Sequence, residues 1–256
     1  MNNLYLSAEI LLVSVSDIDT DNYRKTSKKV ISVLLEKRDK EPYKDMWNIP
    51  GLLLNDVNDT LFECANRVLR DKVGIKDNIY LEQLYTFDRL NRDPDRRVIT
   101  TSYIALIDKN KLKTQPKNTC WFNVEKYSNT TKHIKLTLSN GEEKLNINIE
   151  KQLVDKTSNN YNYISNDNSS LAFSNDTIVA YGLDRLKNKF NYTDLAFNLV
   201  GEYFTLGELQ QVYEVVLNKK LLDPAFRRVI KNKVIKTDKQ KTGEGHRPSY
   251  LFKYRG

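Results

Sequence analysis

The chain has 256 residues, 39% apolar and 29% charged with a net charge of +8, enough to bury an ordinary core in one large domain or two smaller ones. It has no run of about 18 apolar residues and no basic-then-apolar leader, so it is expected to be soluble, cytoplasmic and without a membrane partner. Two cysteines, Cys64 and Cys120, and two histidines fit neither a disulfide framework nor a zinc pattern, and no metal or cofactor is expected.

In chain order, residues 8–15 (AEILLVSV) and 29–35 (KVISVLL) are β-branched apolar runs around a polar loop, which predicts a hairpin or neighbouring strands. A loop holding Trp47 feeds a short strand ending near Leu54. Leu61, Cys64, Ala65, Val68 and Leu69 recur at helical spacing, with Asp59 or Thr60 as the cap and Gly74 where a left-handed C-terminal cap belongs. Residues 80–90 (YLEQLYTFDRL) and 97–107 (RVITTSYIALI) read as strands joined by the turn NRDPD, and CWFNV at 120–124 closes a mixed α/β unit over residues 1–129.

Residues 130–170 differ in character and read as an insertion or connector. The stretch around Ser-Asn-Gly at 139–141 alternates as a hairpin does, and the Asn/Ser-rich 156–170 reads as a loop. From 171 to 256 the chain turns helical, with Ser174 as a candidate N-cap before Ile178, Tyr181, Leu183, Leu186 and Phe190. Thr205 can cap a second helix bearing Leu206, Leu209, Val212, Tyr213 and Val216 on one face, and Asp223-Pro224 opens a third. In that third helix Phe226, Val229 and Ile230 are expected to be buried together, leaving Arg227, Arg228 and Lys231 outward. Two short strands around the basic glycine-containing loop KQKTGEGHRP complete the order of a winged helix-turn-helix. Residues 219–256 hold 12 Lys or Arg against 3 Asp or Glu, so all of the positive excess sits here. Because this segment is patterned, it reads as a folded polyanion-binding surface rather than a disordered tail.

Two segments resemble a known family. The approach EKRD…MWNIPG, the strand–loop–helix of 51–75 and the strands running into CWFNV resemble a Nudix domain. LAFSNDTIVAYGLDRLKNKFNYTDLAFNLV, FTLGELQQVYEVVLNKKLLDPAFRRVIKN and TGEGHRPSYLFKY resemble the C-terminal part of the Nudix-related transcriptional regulators of the NrtR family. The resemblance implies a Nudix-like α/β/α sandwich followed by a winged helix that binds double-stranded operator DNA, as a homodimer. It further implies repression relieved by ADP-ribose or a related nucleotide-type effector.

A working Nudix box sets glutamates in a Glu-x-x-Glu-Glu run on its helix, where they bind Mg²⁺ around a diphosphate. Anchored on Gly74-Ile75, those positions fall on Val68, Asp71 and Lys72, the earlier glutamate falls on Asp59, and Arg67 keeps the arginine. No such run exists anywhere in 55–75, so the hydrolase reading (an ADP-ribose pyrophosphatase with an accessory basic domain) is the alternative. Effector binding can outlive hydrolysis. Arg38, Lys72, Arg89, Arg92, Arg96 and Arg97 are candidates to hold a diphosphate, and Trp47, Tyr85 or Phe87 to stack on a base. For DNA the candidates are Thr205, Arg227, Arg228, Lys231 and Lys233, with Lys241, Thr242, His246 and Arg247 in the wing turned by Gly243 and Gly245.

Overall fold

The computed structural model describes residues 4–18, 28–55, 59–112, 116–158, 160–165, 168–243 and 246–256. Strand β1 (Leu4–Ile18) forms an antiparallel hairpin with β2 (Lys28–Lys37), as the apolar runs predict, and lies parallel to β6 (Arg97–Leu106). Period-two alternation along β1 builds two cores. Ala8, Ile10 and Leu12 face α1 (Leu61–Arg67), whereas Leu11, Val13 and Val15 face α2 (Asn175–Lys189). Short strands β3 (Trp47–Asn48) and β4 (Gly51–Leu53) pair with β2 and β1, and β5 (Tyr80–Phe87) pairs with β6.

Strand β7 (Thr119–Asn129) runs beyond the expected CWFNV, and the chain then continues the same sheet through β8 (His133–Ser139), β9 (Lys144–Asp155) and β10 (Asn160–Ser165). The main path of the sheet is β10-β9-β8-β7-β2-β1-β6-β5. The stretch expected to be a connector therefore joins the sheet through β8, β9 and β10, and the loop expected over 156–170 contains a strand. Its Tyr161 and Tyr163 alternate with asparagines, a period-two signal that the polar composition hides.

Helix α1 is closed by a capping box: Thr60 Oγ1 accepts from Glu63 N at 3.1 Å, and the Glu63 carboxylate accepts from Thr60 N at 3.0 Å. The helix continues as a π-helical turn over Val68–Val73 and ends at Gly74, whose φ of 78° is the left-handed cap anticipated from the sequence. Ser174 stands at the start of α2 but does not cap it. Phe173 and Ser174 both take left-handed φ (56° and 54°), which turns the Ser174 side chain away from the helix amides. The chain is clasped instead by Asp176, which accepts from Ser170 N (2.8 Å), Leu171 N (3.0 Å) and Ser169 Oγ (2.7 Å). Gly182 lets α2 lie flat on the sheet, since a Cβ there would meet Leu11 Cδ2 at 2.3 Å.

Helices α3 (Leu206–Leu217) and α4 (Asp223–Ile230) and the hairpin β11 (Val234–Gly243) and β12 (His246–Tyr254) follow, with Phe204 bridging to Phe252. One buried apolar cluster runs from Leu11 and Leu84 through Ile178 and Leu186 to Leu209, Phe226, Ile230 and Val234. The sheet and the C-terminal helices share that core. Among the described residues no helix is long and apolar enough to cross a membrane.

Burial pushes the Asp176 carboxyl up from 3.8 to about 6, outweighing its three hydrogen bonds. The native state then holds this proton where the unfolded chain has lost it. The stabilisation is complete below 3.8 and is lost as pH rises through about 6. The unfolding free energy of wild type minus that of Asp176→Asn should fall across this window by on the order of 3 kcal/mol. Denaturant titrations at several pH values check this, and a pH-independent difference refutes it.

Candidate functional site

A cavity of about 200 Å³ opens on the α2 side of the sheet, with Glu9 of β1, Asn48 of β3, Arg38, Arg92, Arg96 and Phe173 in its lining. Gly51 of β4 lies against Glu9 so closely that a Cβ would stand 2.6 Å from Glu9 Cγ. Glu9 shares the inward face of β1 with Leu11, so a carboxylate is delivered into a buried position. Its partner is Arg92, only 5% exposed, whose Nη2 reaches Glu9 Oε2 at 2.5 Å and Asn175 Oδ1 at 2.5 Å. Burial drives the Glu9 carboxyl up, opposed by the Arg92 charge. Among the described residues, Arg92 Nη1, Asn175 Nδ2 and Asn48 Oδ1 are buried without a hydrogen-bond partner. A buried guanidinium with a spare N–H is a strong donor for any phosphate or carboxylate oxygen that reaches it.

The structure brings Arg38, Arg92 and Arg96 together here. Arg38 is held by Pro42 O (Nε, 2.8 Å) and lies 4.5 Å over the Phe173 ring, while Arg96 pairs with Asp93 at 3.4 Å. Phe87, Arg89 and Tyr85 line a neighbouring cavity that Arg92 also reaches. Arg97 stands apart, donating to Asp88 O (2.7 Å) and Arg89 O (3.1 Å), so its guanidinium fastens the turn.

Trp47 and Lys72 lie outside both cavities. Trp47 is packed edge-on against Phe122 at 4.9 Å with its Nε1 donating to Glu143 at 3.0 Å, because its strand buries it beside β2. Lys72 pairs with Glu36 at 2.6 Å on the α1 side, the face of the sheet opposite Glu9. On the same side Val68 is fully buried in the α1 core and Asp71 pairs with Arg70 at 2.8 Å. Arg67 binds Asp59 at 2.7 Å and Leu53 O at 3.1 Å, which ties the loop to the helix. The Asn55 amide and Arg67 hold the Asp59 carboxyl below its ordinary range. Among the described residues no group of three or more His, Cys, Asp or Glu could hold a metal ion.

Glu9, Asn48 and Asn175 escaped the sequence reading. The signal for Glu9 was present: it is the one ionisable residue in the apolar run 8–15.

At the C-terminal end Phe226 and Ile230 anchor α4, and Arg227, Arg228 and Lys231 are exposed. Val229 departs from expectation. It is 61% exposed, because on so short a helix only the i, i+4 pair reaches the core. Thr205 spends its hydroxyl on the capping box of α3, accepting from Glu208 N at 3.1 Å. Lys233 is part-buried against Asp194 (2.6 Å), and Lys241 pairs with Glu208 (2.5 Å). Thr242 is exposed near the tip of β11. Gly243 and His246 pair at the wing turn, whereas Gly245 and the side chains of His246 and Arg247 lie outside the described residues. Lys236, Lys239 and Lys253, not singled out from the sequence, add exposed charge to the same hairpin.

Removing Arg92 would leave a buried charge behind. Arg92→Met should cost about 3–5 kcal/mol in denaturant unfolding. Lys72→Met, at a pair that solvent reaches, should cost below about 1 kcal/mol. Equal costs would refute the assignment of Arg92 as a structural keystone.

Residues 196–254 match the NrtR DNA-binding winged helix domain. Over 226 residues the chain is 30% identical to the ADPR responsive transcriptional repressor NtrR of Acinetobacter baylyi, covering 88% of this chain and 76% of that one. Shewanella oneidensis NrtR complexed with a 27mer DNA superposes with a TM-score of 0.68 at 23% identity, over 98% of this chain and 93% of the other. A MutT/nudix family protein from Enterococcus faecalis gives 0.69 at 22% identity, over 99% and 89%. These two share the fold along nearly their whole length. On the strength of the Acinetobacter relative and the winged-helix match, the chain belongs to the NrtR family, with a Nudix-like domain followed by a winged helix DNA-binding domain.

Proposed function

We propose that this protein is a transcriptional repressor that binds operator DNA as a homodimer and is released by ADP-ribose or a closely related nucleotide. The observation that carries the reading is the outward face of α4, where Arg227, Arg228 and Lys231 stand free of the core while Phe226 and Ile230 fix the helix in place. Arginine reads guanine edges, lysine takes phosphates, and the exposed Val229 suits a thymine methyl. The effector half rests on the unpartnered Nη1 of Arg92 and on the ADPR response named for the Acinetobacter relative.

A ligand acts only through different affinities for two states. Here the lever is Asn175, which shares Arg92 with Glu9 and opens α2, and α2 belongs to the core that α3 and α4 complete. Oxygen of a diphosphate competing for Arg92 would shift the helix start and the DNA-binding face with it. The hydrolase alternative is disfavoured because Val68 lies in the α1 core and Lys72 is spent on Glu36. Two of the positions that would hold Mg²⁺ in a Nudix box thus offer it no oxygen.

Mobility-shift titration on the promoter DNA beside the gene, with and without ADP-ribose, tests the whole reading: ADP-ribose should weaken the complex. Arg227→Ala or Arg228→Ala should cost about 1–3 kcal/mol and relax specificity, whereas Lys231→Ala should weaken all sequences alike. If all three leave operator affinity unchanged, the α4 assignment is wrong. Purified protein with Mg²⁺ and ADP-ribose should release no AMP, and turnover on the order of 1 s⁻¹ would restore the hydrolase reading.

A further inference from the structure

Strands β5 and β10 end the sheet path at opposite sides, yet both line one cavity of about 410 Å³ together with α2. The sheet therefore curls around α2 until its two edges face each other. Lys189 of α2 holds Glu82 of β5 at 2.5 Å, and Asp184 one turn earlier accepts from Tyr163 of β10 at 2.5 Å. Across the mouth, Arg89 Nη1 donates to Ser165 Oγ at 2.7 Å.

The walls are aromatic. Tyr181 of α2 meets Tyr163 at 4.9 Å, Tyr85 at 5.3 Å and Phe87 at 6.1 Å, with Tyr85 and Phe87 5.3 Å apart. A cluster that only sealed the sheet edge would close on itself. These rings instead surround open space, and Tyr85 stays 52% exposed. At the inner end stands Arg92, which lines this cavity and the smaller one alike and whose buried Nη1 has no partner among the described residues.

The smaller cavity, about 200 Å³, is below the roughly 300–1,000 Å³ of sites that bury a whole small molecule, and the aromatic cavity at about 410 Å³ is within it. We propose that the two cavities are halves of one ligand site, with a planar nitrogen base stacked among Tyr85, Phe87, Tyr163 and Tyr181, a diphosphate crossing at Arg92, and the terminal sugar in the smaller half. This rests on the effector reading above and adds where the base goes. Stacking supplies affinity for a π-face, and the guanidinium supplies it for phosphate oxygen.

Calorimetry on the full-length protein separates the halves, using ADP-ribose as the whole ligand and ribose 5-phosphate as the half without a base. Tyr85→Ala, at an exposed strand position, should weaken ADP-ribose about 5- to 150-fold, the loss expected for one stacked base. It should leave ribose 5-phosphate unchanged, and Tyr85→Trp should retain ADP-ribose binding. Thr177→Trp, which fills the cavity from α2, should act as Tyr85→Ala does and covers the case in which that variant does not fold. If ADP-ribose binds wild type and both cavity variants equally, the bipartite site is overturned while the effector reading stands. Equal loss of both ligands also overturns it, because that marks collapse of the helix seat rather than loss of stacking. If wild type binds neither ligand at millimolar concentration, the effector reading fails and this inference with it.

Discussion

A buried arginine shared by three parts of the chain is the constraint on which the rest of the molecule depends. Arg92 comes from the turn after β5, Glu9 from the central strand and Asn175 from the first turn of α2. Burying an ion pair is a poor source of net stability, since desolvation cancels most of the attraction. Its effect is positional. With Arg92 in place the turn must fold inward, the strand must carry a carboxylate on its inner face, and α2 must start where it does. Each alternative leaves a charge in the core.

Function follows from that position. The same guanidinium lines two cavities, and among the described residues its buried Nη1 has no partner, so on the proposed reading the group that orders the fold is also the one a ligand competes for. Because α2 packs in the apolar cluster that also contains Leu209, Phe226 and Ile230, no independent linker stands between the cavity and the basic helix. A shift at the start of α2 must be absorbed by repacking, and packed cores repack between discrete arrangements rather than deforming smoothly.

Much of this was legible in the sequence because it depends on local rules. The α1 cap and its Gly74 terminus, the β1–β2 hairpin, the capped α3 and the Pro-initiated α4 all follow from spacing and from residues with fixed backbone preferences. The site was legible in part. An arginine-rich turn announces itself, but which arginine turns inward depends on Glu9 and Asn175, at sequence separations of 83 residues each way. Trp47 and Lys72 were misplaced for the same reason: Phe122, Glu143 and Glu36, which hold them, are distant in sequence. β10 was hidden by its asparagines, and Val229 by a helix too short to bury a third apolar residue.

The curl of the sheet bears on how the protein survives at concentration. A sheet whose eight-strand path stayed open would offer two rows of unpaired amides and carbonyls, each a template for another chain's strand. Wrapping around α2 turns both rows toward a shared, tyrosine-walled mouth guarded by Arg89, and the charge of Arg185 and Lys189 beside Glu82 stands along the β5 border. A molecule bound in that mouth would cover backbone of β5 and β10 that the sheet leaves unpaired.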